Sequence, residues 1–317
     1  EALRLAIDFN PRIAAAKNEV EAAEADTVAA NKRLNPSMTL QEEDLPIRSN
    51  PGRFFGTQEI TLRMDYEIER GGRRGLRAES ARQALEEQKL TYRDQVRRVE
   101  MEVKRAFSRI VLARSNLETS RAILEQAQKM IDLNRVRFQQ GDISALDLNR
   151  IEAERLRFQD DVFQAGLMLR DAKSALLALL NAPDLSRDID VAGALPVADQ
   201  ASEAGLPPQA PLDELVRVAL ERRPDLASAL QQRARADTET RLQRALRSPN
   251  VTVGGGYKRS GPDNSFVLGV TVPLRVFNRN EGGVLRAEAE RKRAGNLDAA
   301  LRVQVRLEVQ QAYNAVR

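Results

Sequence analysis

The side chains that could do chemistry in this chain are carboxylates, lysines and arginines. There is no histidine and no cysteine among the 317 residues. That removes the commonest general base, the commonest zinc ligand, any thiolate nucleophile and any disulfide. Glu42-Glu43-Asp44 could gather a cation, and Gly71-Gly72-Arg73-Arg74-Gly75 could cradle a phosphate. The glycine run lacks the Gly-Lys-Ser/Thr ending of a phosphate loop and reads as a joint between a strand and a helix. The acidic run reads as the solvated end of a hairpin. Asp142 and Asp147 flank a turn, where Ser144-Ala145-Leu146-Asp147 fits a capping box with Ser144 as N-cap. A pair of carboxylates converging in a pocket would make a hydrolase, but nothing in the pattern brings two together. The residues therefore point away from an enzyme and imply no cofactor and no bound metal.

The remaining polar set is periodic. Glu59, Thr61, Arg63, Asp65 and Glu67 alternate with Ile60, Leu62, Met64, Tyr66 and Ile68. Such a period of two is a strand with one polar and one apolar face. Strands are expected at 37–44 and 57–68, joined by the turn-rich loop 45–52 and preceded by a helix over 11–34 that Pro36 ends. A second hairpin is expected where Val251, Val253 and Tyr257, then Phe266, Leu268, Val270 and Val272, alternate around the turn 259–264. Gly254-Gly255-Gly256 would weaken its first strand or mark sharp curvature or a bulge.

These elements occur twice. Pro11 and Pro36 recur as Pro224 and Pro249 at a constant step of 213, which Ala6/Ala219, Ile13/Leu226 and Ala23/Ala236 keep. Glu102-Val103-x-x-Ala106-Phe107 recurs as Glu308-Val309-x-x-Ala312-Tyr313 at a step of 206. A repeat of this length is a duplicated structural half. The chain divides into a first repeat over 1–185, a linker over 186–211 and a second repeat over 212–317. By this correspondence residue 317 matches residue 111, so about 75 residues of the second half are expected beyond it.

Between the hairpins the period becomes 3.5. Val96, Val99, Val103, Ala106, Ile110, Ala113, Leu117 and on to Phe138 follow a 3,4 spacing, a coiled-coil seam. The helix should run from near Arg73 to about Phe138, roughly 100 Å at 1.5 Å per residue. After the turn at 141–144 a return seam runs from Leu148 through Ile151, Arg155, Phe158, Val162 and Ala165 to Leu179. Aromatics at 4% and charged residues at 30% suit long helices better than a compact enzyme core. No run of 18 apolar residues exists, so a membrane could be crossed only by a closed β-barrel. The net charge of +4 is dispersed and reads as solvated surface, with no nucleic-acid footprint.

The motifs Ala2-Leu3…Asn10-Pro11, Pro36-Ser37, Arg137-Phe138-x-x-Gly141-x-Ile143-Ser144-x-Leu146-Asp147-Leu148 and Val272-Pro273-Leu274, in this order, resemble the TolC-type outer-membrane efflux proteins of Gram-negative bacteria. Glu67-Ile68-Glu69-Arg70-Gly71-Gly72-Arg73-Arg74 further resembles the heavy-metal-resistance branch. The resemblance implies a mainly helical fold with β-hairpins. Duplicated coiled-coil hairpins would build an α-barrel in the periplasm, and four strands per chain would complete a transmembrane β-barrel on trimerisation. It implies a passive export conduit for heavy-metal cations or drugs, working with a periplasmic adaptor and an inner-membrane pump. Ile60, Leu62, Met64, Tyr66 and Ile68 would then face lipid, and Glu59, Thr61, Arg63, Asp65 and Glu67 would line the pore. Phe138, Gly141, Asp142 and Ile143, with Ser144, Leu146 and Asp147, would form the periplasmic tip that meets the adaptor. The competing reading is a soluble coiled-coil scaffold, which explains the seams but not two alternating hairpins at matched positions.

Overall fold

A computed structural model describes residues 1–43, 58–192 and 210–316. The loop at 45–52, Asp44 and most of the linker lie outside the described residues. The elements are α1 (Ala2–Phe9), α2 (Pro11–Ala30), β1 (Ser37–Glu43), β2 (Glu59–Ile68), α3 (Arg73–Gln139), α4 (Ala145–Leu179), α5 (Leu212–Arg222), α6 (Pro224–Ala245), β3 (Val251–Ser260), β4 (Asp263–Thr271) and α7 (Glu281–Val316). The order of two helices, two strands and a long helix thus occurs twice. No described helix is long and apolar enough to cross a membrane.

Helix α2 stops at Ala30, short of the expected Leu34. The Arg77 guanidinium takes the carbonyls of Ala30 and Lys32, each at 3.3 Å, and so occupies groups that a longer helix would use. Arg77 is held in turn by Glu69, whose hydrogen bond raises the guanidinium's pKa.

The chain forms two compact units, Glu1–Lys17 with Tyr92–Glu214 and Asn18–Thr91 with Leu215–Arg317. In the first, the expected seams carry the packing. Val99, Val103, Ala106, Ile110, Ala113, Leu117, Ile131 and Asn134 of α3 are buried, and the seam positions between them are half-buried. Every return-seam position of α4 from Leu148 to Leu179 is buried or half-buried. Ala6, Ile13, Val99, Val103, Ala106, Ile110 and Leu176 form one core cluster. Burying a side chain such as Ile110 or Leu176 stabilises by about 1.5–3 kcal/mol. Asn10 closes the base of this unit. It is buried, accepts a hydrogen bond from Arg12 N–H at 2.9 Å to cap α2, and donates to the Leu179 carbonyl at 2.9 Å near the end of α4. Arg12 then pairs with Glu102 of α3.

The second unit holds the sheet and α6 against α7. Arg73, at the first position of α3, is buried and donates to the carbonyls of Ala245, Leu246 and Ser248 at the end of α6. Ala245 and Leu246 close the C-terminus of α6, where a cation suits the dipole, and Ser248 lies three residues past Ala245. Arg223, ahead of Pro224, pairs with Asp225 at 2.7 Å and with Glu308 of α7 at 2.6 Å. These hydrogen bonds raise its pKa further above the ordinary arginine value.

Candidate functional site

The four strands form one antiparallel sheet in the order β1-β2-β3-β4. Its register sorts the side chains into two faces. Leu62 lies opposite Leu40 and Tyr257, and Met64 opposite Met38 and Gly255. Tyr257 and Gly255 in turn face Phe266 and Leu268. One face is therefore a continuous apolar band. It is bare, with Phe266 88% and Leu268 87% exposed. Tyr257 and Phe266 meet edge-on with ring centroids 6.4 Å apart.

The other face is polar. Glu59, Thr61, Arg63, Asp65 and Glu67 stand together there. Their neighbours are Thr39 and Gln41 on β1 and Thr252, Gly254, Gly256 and Lys258 on β3. Arg63 pairs with Asp65 at 2.8 Å, Lys258 pairs with Glu59, and Glu67 accepts a hydrogen bond from Asn250 at 2.7 Å. The three glycines do not break β3, whose register with β2 runs unbroken from Ser260 to Val251. Their role is space. A Cβ at Gly254 would strike the Asp65 carboxylate and the Arg63 guanidinium, and one at Gly256 would strike the β2 backbone at Leu62. Gly269 on β4 leaves room for the end of the same arginine. Arg63 thus lies flat across the sheet over three glycines. Sequence reasoning read the glycines as weakness or curvature because their reason is a side chain about 190 residues away in sequence.

The second hairpin is tighter than the expected turn over 259–264. Arg259 pairs with Asn264 and Ser260 with Asp263, which leaves Gly261-Pro262 as a two-residue loop. Gly261 has φ +56°, and the proline ring fixes the next φ, a combination that matches the strand twist. The outer edges of β1 and β4 pair with no strand among the described residues.

The joint after β2 turns at Gly71 and Gly72, with φ of +74° and +70°, and leads straight into α3. A side chain at Gly71 would also crowd the Ala245 carbonyl. Glu42 and Glu43 are exposed at the far end of the sheet. Among the described residues, no three acidic side chains gather closely enough to hold a metal ion.

The helical tip belongs to the first unit. Helix α3 ends in a Schellman motif. Asp142 N–H donates to the Arg137 carbonyl at 2.9 Å and Gly141 N–H to the Phe138 carbonyl at 3.0 Å, with Gly141 at φ +86°. Ser144 caps α4, accepting from Asp147 N–H at 3.1 Å and donating its hydroxyl proton to the Asp147 carboxylate at 2.6 Å. The Asp147 carboxylate thus accepts from the Ser144 hydroxyl, where the capping box has the acid reach the N-cap N–H. Arg135 and Glu152, 2.8 Å apart, pin the two helices just behind the turn. Phe138 and Leu146 are exposed and Ile143 is half-buried.

This arrangement is that of a known group. A family model described as "Outer membrane efflux protein" matches residues 2–182 and 215–317. The chain belongs to the outer membrane efflux protein family, whose members reside in the outer membrane of Gram-negative bacteria. It is 25% identical over 289 residues to the cobalt-zinc-cadmium resistance protein CzcC of Cupriavidus metallidurans, covering 90% of this chain and 65% of that protein. It is 26% identical over 291 residues to the nickel and cobalt resistance protein CnrC of the same organism, covering 89% and 64%. The chain thus spans somewhat less than two thirds of the length of these relatives. The crystal structure of the outer membrane protein VceC from Vibrio cholerae superposes with a TM-score of 0.74 at 17% identity, covering 96% of this chain and 75% of that one.

Proposed function

We propose that this chain is the outer-membrane channel of a tripartite efflux pump, a passive conduit for divalent metal cations. The observation that carries the reading is the two-faced sheet. An exposed apolar band on one side and ion-paired polar residues on the other suit a barrel wall between lipid and water. Two open edges would leave backbone groups unpaired in lipid, so the sheet must close with others. Three copies would supply twelve strands, and the protein would act as a homotrimer.

On this reading Glu59, Thr61, Arg63, Asp65 and Glu67 line the pore. The helices α3 and α4 extend into the periplasm as part of an α-barrel. The tip, from Phe138 and Gly141 through Asp142, Ile143 and Ser144 to Leu146 and Asp147, meets a periplasmic adaptor that links to an inner-membrane pump. The exposed Phe138 and Leu146 at a water-facing end support a contact surface there. Metal export is favoured over drug export by the curated relatives, which are metal-resistance proteins.

Deleting the gene should raise sensitivity to cobalt, zinc, cadmium or nickel and leave sensitivity to lipophilic drugs unchanged. Drug sensitivity without metal sensitivity would overturn the substrate. Neither effect, with the pump expressed, would overturn the conduit.

A further inference from the structure

Resting on the barrel reading, we propose that Arg247, Arg275 and Arg279 form a binding site for an anionic phospholipid headgroup of the periplasm-facing leaflet. The three arginines and Glu281 line an open hollow of about 490 Å³ at the helix-joined end of the sheet. Arg247 follows α6, and the other two lie in the segment between β4 and α7. None of their side chains has a hydrogen bond or ion pair among the described residues, whereas Arg73, Arg77 and Arg244 near the same joints do. Arg275 is half-buried all the same. Glu281 accepts from its own backbone N–H and from that of Arg279 at 3.0 Å, and these bonds, with the nearby charges of Arg247 and Arg279, hold its carboxyl below the usual range. Burial lowers the pKa of the neighbouring Arg73, and Arg275 adds to the effect. Three cations facing one hollow with a single carboxylate leave positive charge uncompensated, and phosphate is the anion that guanidinium groups bind best.

The apolar surroundings select a lipid over a free anion. Leu274 is 84% and Phe277 99% exposed, with Val276 also exposed between them. They follow the end of β4 at Thr271, and Phe266, Leu268 and Val270 of that strand are bare as well. Arginines and large apolar groups interleaved at the edge of a lipid-facing band fit the headgroup level, where phosphates meet acyl chains. Arg33 ahead of β1 and Arg70 after β2 are exposed at the same end of the sheet, because Ser37 pairs with Asp65. The basic belt therefore runs along the rim and is deepest at the hollow.

The test uses the full-length protein reconstituted in phosphatidylcholine vesicles containing one third phosphatidylglycerol. Retained lipid is counted by native mass spectrometry after extraction, for the parent and for a variant carrying R247Q, R275Q and R279Q. The parent should retain phosphatidylglycerol in preference to phosphatidylcholine. The variant should insert equally well and lose that preference by roughly tenfold or more, given about fivefold per basic residue near an anionic surface. A variant with lysine at the three positions should keep part of it. An unchanged preference in the glutamine variant would overturn the site. So would displacement of the lipid by millimolar inorganic phosphate, or a glutamine variant that loses its subunit assembly with no change in the lipid ratio. Failure of the parent to insert into the vesicles would overturn the barrel reading itself, a different result from insertion without preference.

Discussion

The two halves fasten the same helix start in different ways. In the first, Asn10 before Pro11 caps α2 and ties it to α4, while Arg12 after the proline reaches Glu102. In the second, Arg223 takes the place of Asn10, pairs with Asp225, and itself reaches Glu308. Glu102 and Glu308 are equivalent positions in the repeat. The acceptor on the long helix is thus kept, and the arginine that meets it has moved across the proline. The first arrangement uses neutral hydrogen bonds inside and an exposed ion pair outside. The second puts the charges inside, with the Arg223 side chain 16% exposed. The difference teaches that the geometry of this joint is retained while the energy that holds it is redistributed.

The largest effect should come from Arg223→Ala, which leaves Asp225 largely buried without its guanidinium. A cost of about 2–4 kcal/mol is expected, read as a drop in melting temperature of the detergent-solubilised protein. A loss no larger than that of an exposed pair would erase the contrast between the halves. Asn10→Ala removes two hydrogen bonds at a buried position and should cost about 1–2 kcal/mol. Asn10→Asp should recover the cap to Arg12 but not the donation to Leu179, which separates the two roles.

Glu308→Gln sharpens the comparison through pH. The Arg223 hydrogen bond lowers the Glu308 pKa below its ordinary value of 4.5. A carboxylate lowered in the folded state stabilises above its unfolded pKa and loses that contribution as pH falls through the folded value. The variant should therefore melt below the parent at neutral pH, and the gap should close as pH is taken down through and below 4.5. A gap that persists in acid would mean the ion pair is not its source. Arg12→Ala should have the smallest effect, under about 1 kcal/mol, because both partners are substantially exposed.

The parts legible in the sequence are those with a period. The seam from Val96 to Asn134 follows from burial on one face, and the alternation in β2 from sorting apolar and polar side chains onto opposite faces; both repeat with the backbone geometry. The turn at 141–144 and the Ser144 cap were legible as well, because their partners lie within a few residues. The joints were not. Arg73 under the end of α6, Arg63 across three glycines, and the Arg12 and Arg223 clamps all depend on partners about 85 to 206 residues away in sequence. Glu102 and Glu308 stood out as matched residues, but the match alone does not name the arginine that each would meet. The early end of α2 has the same cause, since Arg77 takes its carbonyls.

The central claim is that β2 separates water from lipid. None of the 317 residues is cysteine, so a single cysteine introduced among them has no second thiol beside it in this sequence. Thr61→Cys and Leu62→Cys, one residue apart on opposite faces, should be compared in planar bilayers. With the channel conducting, a charged water-soluble thiol reagent should change the conductance of Thr61→Cys and leave Leu62→Cys untouched. Equal reaction at both positions, or reaction at Leu62→Cys alone, would contradict a lumen lined by Glu59, Thr61, Arg63, Asp65 and Glu67.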